Sequence, residues 1–419
     1  MKLKPYPKYK DSEVQWIGEI PEEWELERFK IRFKTEKGKI PENLDVINGE
    51  GYLPYLSMEY LRGKEDNVLF SNDKASLKVE KGDLLLLWDG SNAGEFISAK
   101  RGFLSSTMVK LSIEKMDNTF SKYLCYTFEP MLRDLTIGMG IPHVNGDILG
   151  NIQIPIFEIK EQEKITDFLD SKTSEISKTI EADKKLIELL KEKRTALINH
   201  VVTKGLNPKT KMKYSGIEWI GEVPEWWEVK KIKFFTTEKR NKATDTDNSG
   251  QFVGLENIES MTGKLASYNS TENLEGDSLK FKKDNVLFCK LRPYLAKVIV
   301  SETDGFCTSE LIIYECDKNT NPSFLKYRLL SKAYIDYVNS LTEGVKMPRA
   351  DPILLSNIKL PFPPKPEQLQ ISQYLDKSTS KIDQTVKKIE EKIELLEEFK
   401  KSLIHHVVTG KVDVREAMA

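Results

Sequence analysis

Cysteine and histidine are scarce in this chain, and neither is arranged for chemistry. The four cysteines, Cys125, Cys289, Cys307 and Cys316, include no C-x-x-C pair, which argues against a zinc site and gives no disulfide framework. They read as ordinary buried or half-buried thiols in a reducing cytoplasm. The four histidines, His143, His200, His405 and His406, form no H-E-x-x-H pair. His200 and His406 hold matching places at the ends of helical stretches, where a cation complements the helix dipole. No G-x-x-x-x-G-K-[ST] phosphate loop occurs, "GMG" at Gly138 lacks the third glycine of a dinucleotide loop, and carboxylates do not cluster for metal. The chain is expected to be non-catalytic, with no cofactor and no metal of its own. No run reaches about 18 apolar residues, and "MKLKPYPKYKDSEVQW" lacks the apolar core of a signal peptide, so a cytoplasmic protein without membrane contact is expected. Charge of one sign is missing too. The 64 Lys and Arg against 65 Asp and Glu leave a net charge of -1, so any polyanion contact must come from local patches.

What the chain does have is repetition. "WIGEIPEEW" begins at Trp16 and "WIGEVPEWW" at Trp219, 203 residues later. "NIQIPIFEIKEQEKITDFLDSKTSEI" from Asn151 matches "NIKLPFPPKPEQLQISQYLDKSTSKI" from Asn357, and "LINHVVT" matches "LIHHVVT", both at an offset of 206 without a gap. Two copies of a unit of about 200 residues account for the 419. Between the matching blocks the copies diverge, so a constant frame carries two different inserts. The Gly-x-x-Pro core with flanking tryptophans suits a rigid turn on an aromatic surface, which makes Trp16, Trp24, Trp219 and Trp227 structural anchors near the helix ends.

Past Glu161 the first frame block reads as one long helix, and the second copy repeats it. Apolar residues recur in heptads: Ile176, Ile180, Ile187, Leu190 and Leu197 in the first helix, and Ile382, Val386, Ile389, Ile393, Leu396 and Leu403 in the second. A stripe this narrow is a coiled-coil seam, since a helix lying on a globular core shows a wider apolar face. The expected partner of each helix is its own copy, antiparallel about a pseudo-twofold axis. About 35 helical residues at ~1.5 Å each would span roughly 50 Å, a ruler between whatever sits at the two ends. Asp183 and Arg194 fall in the seam columns and read either as register-setting polar positions or as solvated seam edges.

The inserts mix strand-like runs ("DLLLLW", "NVLFCK", "KVIVSE", "ELIIYE") with helical stretches ("TFSKYLCYTF", "PSFLKYRLLSKAYIDYV"), an α+β pattern. The fold expected is therefore α+β: two globular α/β domains separated by two long helices in an antiparallel coiled coil. Boundaries fall at 1–23 for an N-terminal segment, 24–155 for the first insert domain, 156–206 for the central helix, 207–226 for a connector repeating the N-terminal segment, 227–361 for the second insert domain, and 362–419 for the C-terminal helix and tail. Each insert closes on a loop with a proline at a fixed place, "GMGIPHVNGDIL" and "EGVKMPRADPIL", where His143 faces Arg349 and Gly140 faces Lys346. A shared slot with differing side chains suits sequence readers, which tell base edges apart by the donors and acceptors they offer. The DNA-contact candidates are Trp88, Asp89, Ser91, Asn92, His143 and Asn145 in the first copy, and Lys290, Arg292, Tyr294, Lys297, Lys346 and Arg349 in the second.

This arrangement resembles the specificity subunit of type I restriction-modification systems over nearly the full chain. The resemblance rests on the two "WIGE" openers, on "IPIFEIKEQEKITDFLD" and "LPFPPKPEQLQISQYLD" leading into the helices, and on "LINHVVTKG" and "LIHHVVTGK" closing them. It implies two target recognition domains that each read one half of a split double-stranded DNA target, with the coil fixing the gap. It also implies modification (methyltransferase) subunits docked on the coil, and restriction subunits that join for cleavage. S-adenosylmethionine, ATP and Mg would then belong to those partners. "IFEIKEQ" departs from the proline-rich "PFPPKPEQ", leaving a less rigid strand-to-helix turn in the first copy. A coiled-coil scaffold, or a specificity adaptor of a related methyltransferase-nuclease fusion system, would share parts of this pattern.

Overall fold

The structure is a computed structural model and describes residues 4–63, 68–138, 140–243, 251–267, 269–270, 278–342, 344 and 346–416. Met139, Glu343 and Val345 of the two proline loops lie outside the described residues. The chain divides into two units, Met1–Ala182 with Lys392–Ala419, and Asp183–Glu391. Each unit holds one insert domain and a part of each long helix.

In the first unit one antiparallel sheet has the order Phe33–Lys37, Met108–Ile113, Leu84–Leu87, Phe96–Ser98. A second sheet has the order Phe70–Ser71, Leu53–Leu56, Gly102–Leu104, Lys78–Val79, with Leu53–Leu56 parallel to Gly102–Leu104. The other unit repeats both in the same order. Its first sheet is Thr236–Lys239, Leu311–Cys316, Val286–Cys289, Val298–Val300, and its second is Asn269–Ser270, Gln251–Val253, Gly305–Cys307, Leu279–Phe281. The unbroken apolar runs follow from burial on both faces, because alternate side chains of a strand point to opposite sides. Leu287 and Cys289 join a core with Val253, Ile299 and Cys307, whereas Val286 and Phe288 join the larger core holding Trp227, Phe324 and Tyr334. Burial also pushes the thiols up, to about 11 for Cys289 and about 12 for Cys307 and Cys316, so they stay protonated.

The stretch containing "TFSKYLCYTF" forms one helix, Asn118–Asp134, capped by Asp117. Its counterpart "PSFLKYRLLSKAYIDYV", a helical stretch in the sequence, forms two helices where the first copy has one. It breaks at Ser331, which is extended (φ −62°, ψ 137°), into Pro322–Leu330 and Lys332–Ser340. Ser331 Oγ donates to the Arg328 carbonyl (2.7 Å), and Asn199 of the central helix accepts the freed Ala333 N–H (3.1 Å), so both new helix ends find partners.

The long helices are Ile159–Lys204 and Lys365–Val408. They begin three residues later than the boundaries expected at 156 and 362, because Gln153–Ile156 and Lys359–Phe362 are strands paired with Glu25–Arg28 and Glu228–Lys231. Of the seam candidates, Ile176, Ile180, Ile187, Ile393 and Leu403 are buried, while Leu190, Leu197, Ile382, Val386, Ile389 and Leu396 are half-buried. In the second unit Arg194 meets Asp383 (2.9 Å), and Trp227 lies against both Gly205 and Glu367. One helix thus advances as the other retreats, and the pair is antiparallel. In the first unit Lys400 Nζ donates to Ser177 Oγ (2.8 Å), and Trp24 meets both Glu161 and Gly410, giving the same sense. Asp183 and Arg194 are both buried, which decides against solvated seam edges.

The tryptophan anchors explain the repeated motif. Trp24 and Trp227 are 1% and 0% exposed, and each indole N–H donates to the first-turn glutamate of a long helix, Trp24 to Glu161 (3.3 Å) and Trp227 to Glu367 (3.2 Å). Gly410 closes its helix at φ +73°, and a Cβ there would sit 2.4 Å from Pro21 and 2.9 Å from the Trp24 ring, so only glycine fits. Trp16 packs edge-on against Phe128, and Trp219 stacks on Tyr337 at 4.8 Å. In the first unit residues near both termini complete this layer. Lys4 bridges Asp413, and Arg415 lies over the Tyr6 ring at 4.8 Å. No helix among the described residues is long and apolar enough to cross a membrane.

Candidate nucleic-acid interface

In each unit the fold brings together two loops that lie far apart in sequence. The first follows the doubly buried strand, Leu84–Leu87 or Val286–Cys289. The second is the proline loop. In the first unit Gly90 N–H donates to the Pro142 carbonyl (2.9 Å) and Val144 N–H to the Trp88 carbonyl (2.9 Å). In the second unit Arg292 N–H donates to Pro348 (2.7 Å) and Ala350 N–H to Lys290 (2.9 Å). The backbone connections match position for position. Gly90 and Arg292 also share a positive φ, +119° and +48°, so the slot imposes on arginine a conformation that glycine takes freely.

The side chains hung on this shared frame differ in charge. In the first unit Asp89 pairs with Lys37 (2.9 Å), Asn92 accepts from Arg133 (3.1 Å), Ser91 is exposed, and Trp88 and His143 are half-buried. Asn145 is a helix cap: its side-chain oxygen accepts from Asp147 N (3.0 Å) and Ile148 N (3.2 Å), as Asp351 does at the same place in the other copy. In the second unit Lys290 and Lys297 donate to the carbonyls of Ser309 (2.7 Å) and Leu255 (2.5 Å), which puts their charge on the base of the loop. Arg349 grips Glu310 with two bonds (2.7 and 3.1 Å). Lys346 and Tyr294 are exposed at the surface of the pair.

Lys37, Arg133 and Glu310 were not singled out in the sequence, and no local signal marks them, because strand pairing and helix packing deliver them from a distance. Ile141 and Met347 are two further surface residues of the loops. They are 71% and 61% exposed, stand immediately before the two prolines, and occupy equivalent positions. An exposed large apolar side chain at each loop tip suits contact with a thymine methyl group or a base step. Among the described residues no group of three or more His, Cys, Asp or Glu side chains is placed to hold a metal ion.

The type I restriction modification DNA specificity domain matches this chain twice, over residues 21–189 and 224–395. The chain belongs to the type I restriction-modification specificity subunit family. It is 31% identical over 415 residues to the type I restriction enzyme MjaVIII specificity subunit of Methanocaldococcus jannaschii, covering 94% of each chain. It is 20% identical to the EcoDI specificity subunit of Escherichia coli, covering 94% of this chain and 90% of that one. Among solved structures, the HsdS subunit from Thermoanaerobacter tengcongensis superposes with a TM-score of 0.53 at 14% identity, covering 94% of this chain and 98% of that one. A chain from work on complex assembly and conformational transition of the type I R-M system gives 0.69 at 13% identity, covering 93% and 98%. At such identities the likeness is one of fold. The two specificity-domain matches together span both loop pairs, so each domain of this family member carries its own candidate reading surface.

Proposed function

We propose that this chain supplies the DNA sequence readout of a type I restriction-modification complex and performs no catalysis itself. Each paired-loop surface reads one half of a bipartite double-stranded target, and the antiparallel helices fix the gap between the halves. The observation that carries this reading is the matched backbone frame of the two loop pairs, which presents Asp89, Asn92, Ile141 and His143 in one unit and Arg292, Tyr294, Met347 and Arg349 in the other. Side chains that vary on a fixed frame are what discrimination among base edges requires, and one good bidentate contact is worth about 1–3 kcal/mol. The net charge of -1 fits a protein that binds DNA weakly alone and gains phosphate contacts from partners.

Modification subunits dock on the long helices, and restriction subunits join for cleavage. Exposed apolar residues outside the seam, Leu186 and Leu189 in one unit and Leu395 and Phe399 in the other, support such docking. S-adenosylmethionine, ATP and Mg serve on those partners. The test compares DNA affinity of the chain alone with that of its complex with the modification subunit, on duplexes with and without the target. Strong selective binding only in the complex is expected. Equal affinity for both duplexes in the complex would reject sequence readout and favour a scaffold.

A further inference from the structure

Among the described residues six non-glycine positions take a positive φ, and three of them, Met261 (+63°), Arg292 (+48°) and Ala296 (+47°), meet at one place in the second unit. Met261 N–H donates to the carbonyls of Leu295 and Ala296 (both 3.2 Å), and Leu295 N–H donates to that of Arg292 (2.9 Å). These residues frame the short turn Pro293–Leu295 that presents Tyr294. A backbone held in so sparse a region persists only where its surroundings over-determine it.

The surroundings are supplied by the coil. Arg194, a buried seam residue of the central helix, uses its guanidinium three times: Nε donates to Asp383 Oδ1 (2.9 Å), Nη1 to the Met261 carbonyl (2.8 Å) and Nη2 to the Thr262 carbonyl (2.7 Å). Asp383, on the C-terminal helix, also pairs with Lys264 (2.7 Å). An unbroken hydrogen-bonded path therefore leads from both helices, through Met261, to the turn carrying Tyr294. The planar fork of arginine suits the task, since two carbonyls and a carboxylate are met at fixed angles. In the first unit the equivalent of Arg194 is Lys400 and the equivalent of Asp383 is Ser177. They bond to each other at 2.8 Å, helix to helix.

We infer that Arg194 is a positioning residue for the second recognition domain, fixing the turn that presents Tyr294 on the coil so that discrimination at one half of the target depends on it. This rests on the proposed DNA readout by that loop. The test uses the full complex with its modification subunits and duplexes carrying single base changes in either half of the target. Arg194→Lys keeps the charge beside Asp383 but cannot reach three acceptors in one plane. It is expected to lower discrimination roughly tenfold, at one half only, a loss the size of one good base contact. Asp383→Asn is expected to give a smaller loss at the same half. Equal losses at both halves would mean a general structural role and overturn the inference. So would unchanged discrimination in Arg194→Lys when Tyr294→Ala, run in parallel, lowers it at one half. If Tyr294→Ala changes neither half, the reading by this loop falls, and the inference with it.

Discussion

The two copies of the repeat agree in the tryptophan, tyrosine and glutamine contacts that seat each domain on the long helices, and disagree in the side chains carried by the paired loops. Trp24 and Trp227 meet Glu161 and Glu367 in the same way. Tyr123 binds Asp170 and Thr173 (2.6 and 3.1 Å), and Tyr327 binds Asp376 and Thr379 (2.6 and 3.2 Å). Gln162 accepts from Asp117 N and donates to the Phe157 carbonyl, while Gln368 accepts from Asn321 N and donates to that of Pro363. The frame is one solution used twice. At the loops, the same backbone slot carries Gly90 in one copy and Arg292 in the other. The difference separates what the fold needs from what the target needs, because a contact shared by both copies cannot distinguish two half-sites.

That comparison can be broken first at the anchors. Trp24→Ala and Trp227→Ala each remove a large, fully buried side chain, and each is expected to cost about 3–5 kcal/mol in its own unit by chemical denaturation. Losses that differ severalfold would show that the two frames are not equivalent. A smaller effect of opposite sign is expected at Arg328, which stands where the first copy has the buried Leu124. Arg328 is fully buried, bonds Thr203 Oγ1 (3.3 Å), and leaves Nε and Nη2 without a hydrogen-bond partner among the described residues. Arg328→Leu should raise thermal stability, by about 1–3 kcal/mol, by sparing a buried charge. Burial pushes the Arg328 guanidinium down to about 9, below its value in the unfolded chain. Its charge thus opposes folding at neutral pH, and the penalty fades as pH rises through about 9. The advantage of leucine should shrink over that same range, and an advantage that grows there would reject this account of Arg328.

Two predictions sharpen the contrast at the loops. Ile141→Ala and Met347→Ala should change stability by less than about 0.5 kcal/mol, since both side chains are exposed. Each should weaken discrimination at a different half-site in a binding assay, and weakening at the same half would contradict separate readers. Lys346→Ala should act more mildly still, lowering the slope of log affinity against log salt by about 1 while leaving sequence preference intact.

The sequence made the frame legible because its constraints are local or strictly periodic. The 206-residue offset exposes the repeat, and the heptads of Ile176–Ile187 and Ile382–Ile393 expose the seam. The tryptophans stand out because so few residues of that size recur with their neighbours. The proposed reading surface is only half legible. Trp88–Asn92 and His143, like Lys290–Lys297 and Arg349, were visible as separate loops, but their pairing depends on backbone hydrogen bonds between strand ends and a loop more than 50 residues away. Asn145, a DNA-contact candidate in the sequence, also caps a short helix that begins one residue later, a role with no signal in the loop sequence alone. The break at Ser331 has no local signal, since the side chain that rescues the new helix end, Asn199, comes from another helix. Arg194 stood out as a polar seam residue, yet its grip on Met261 and Thr262 is a contact between elements far apart in the chain.

The central claim is that two different readers sit on one repeated frame. Its most direct test is methylome sequencing of a host expressing this chain with its modification subunit, before and after replacing the side chains at 141 and 143 with those at 347 and 349. The account predicts a split motif, two short specific halves around a fixed gap with adenine methylated in both, and a change confined to one half after the exchange. A motif that changes in both halves, or the absence of any split motif from an assembled and active complex, would contradict it.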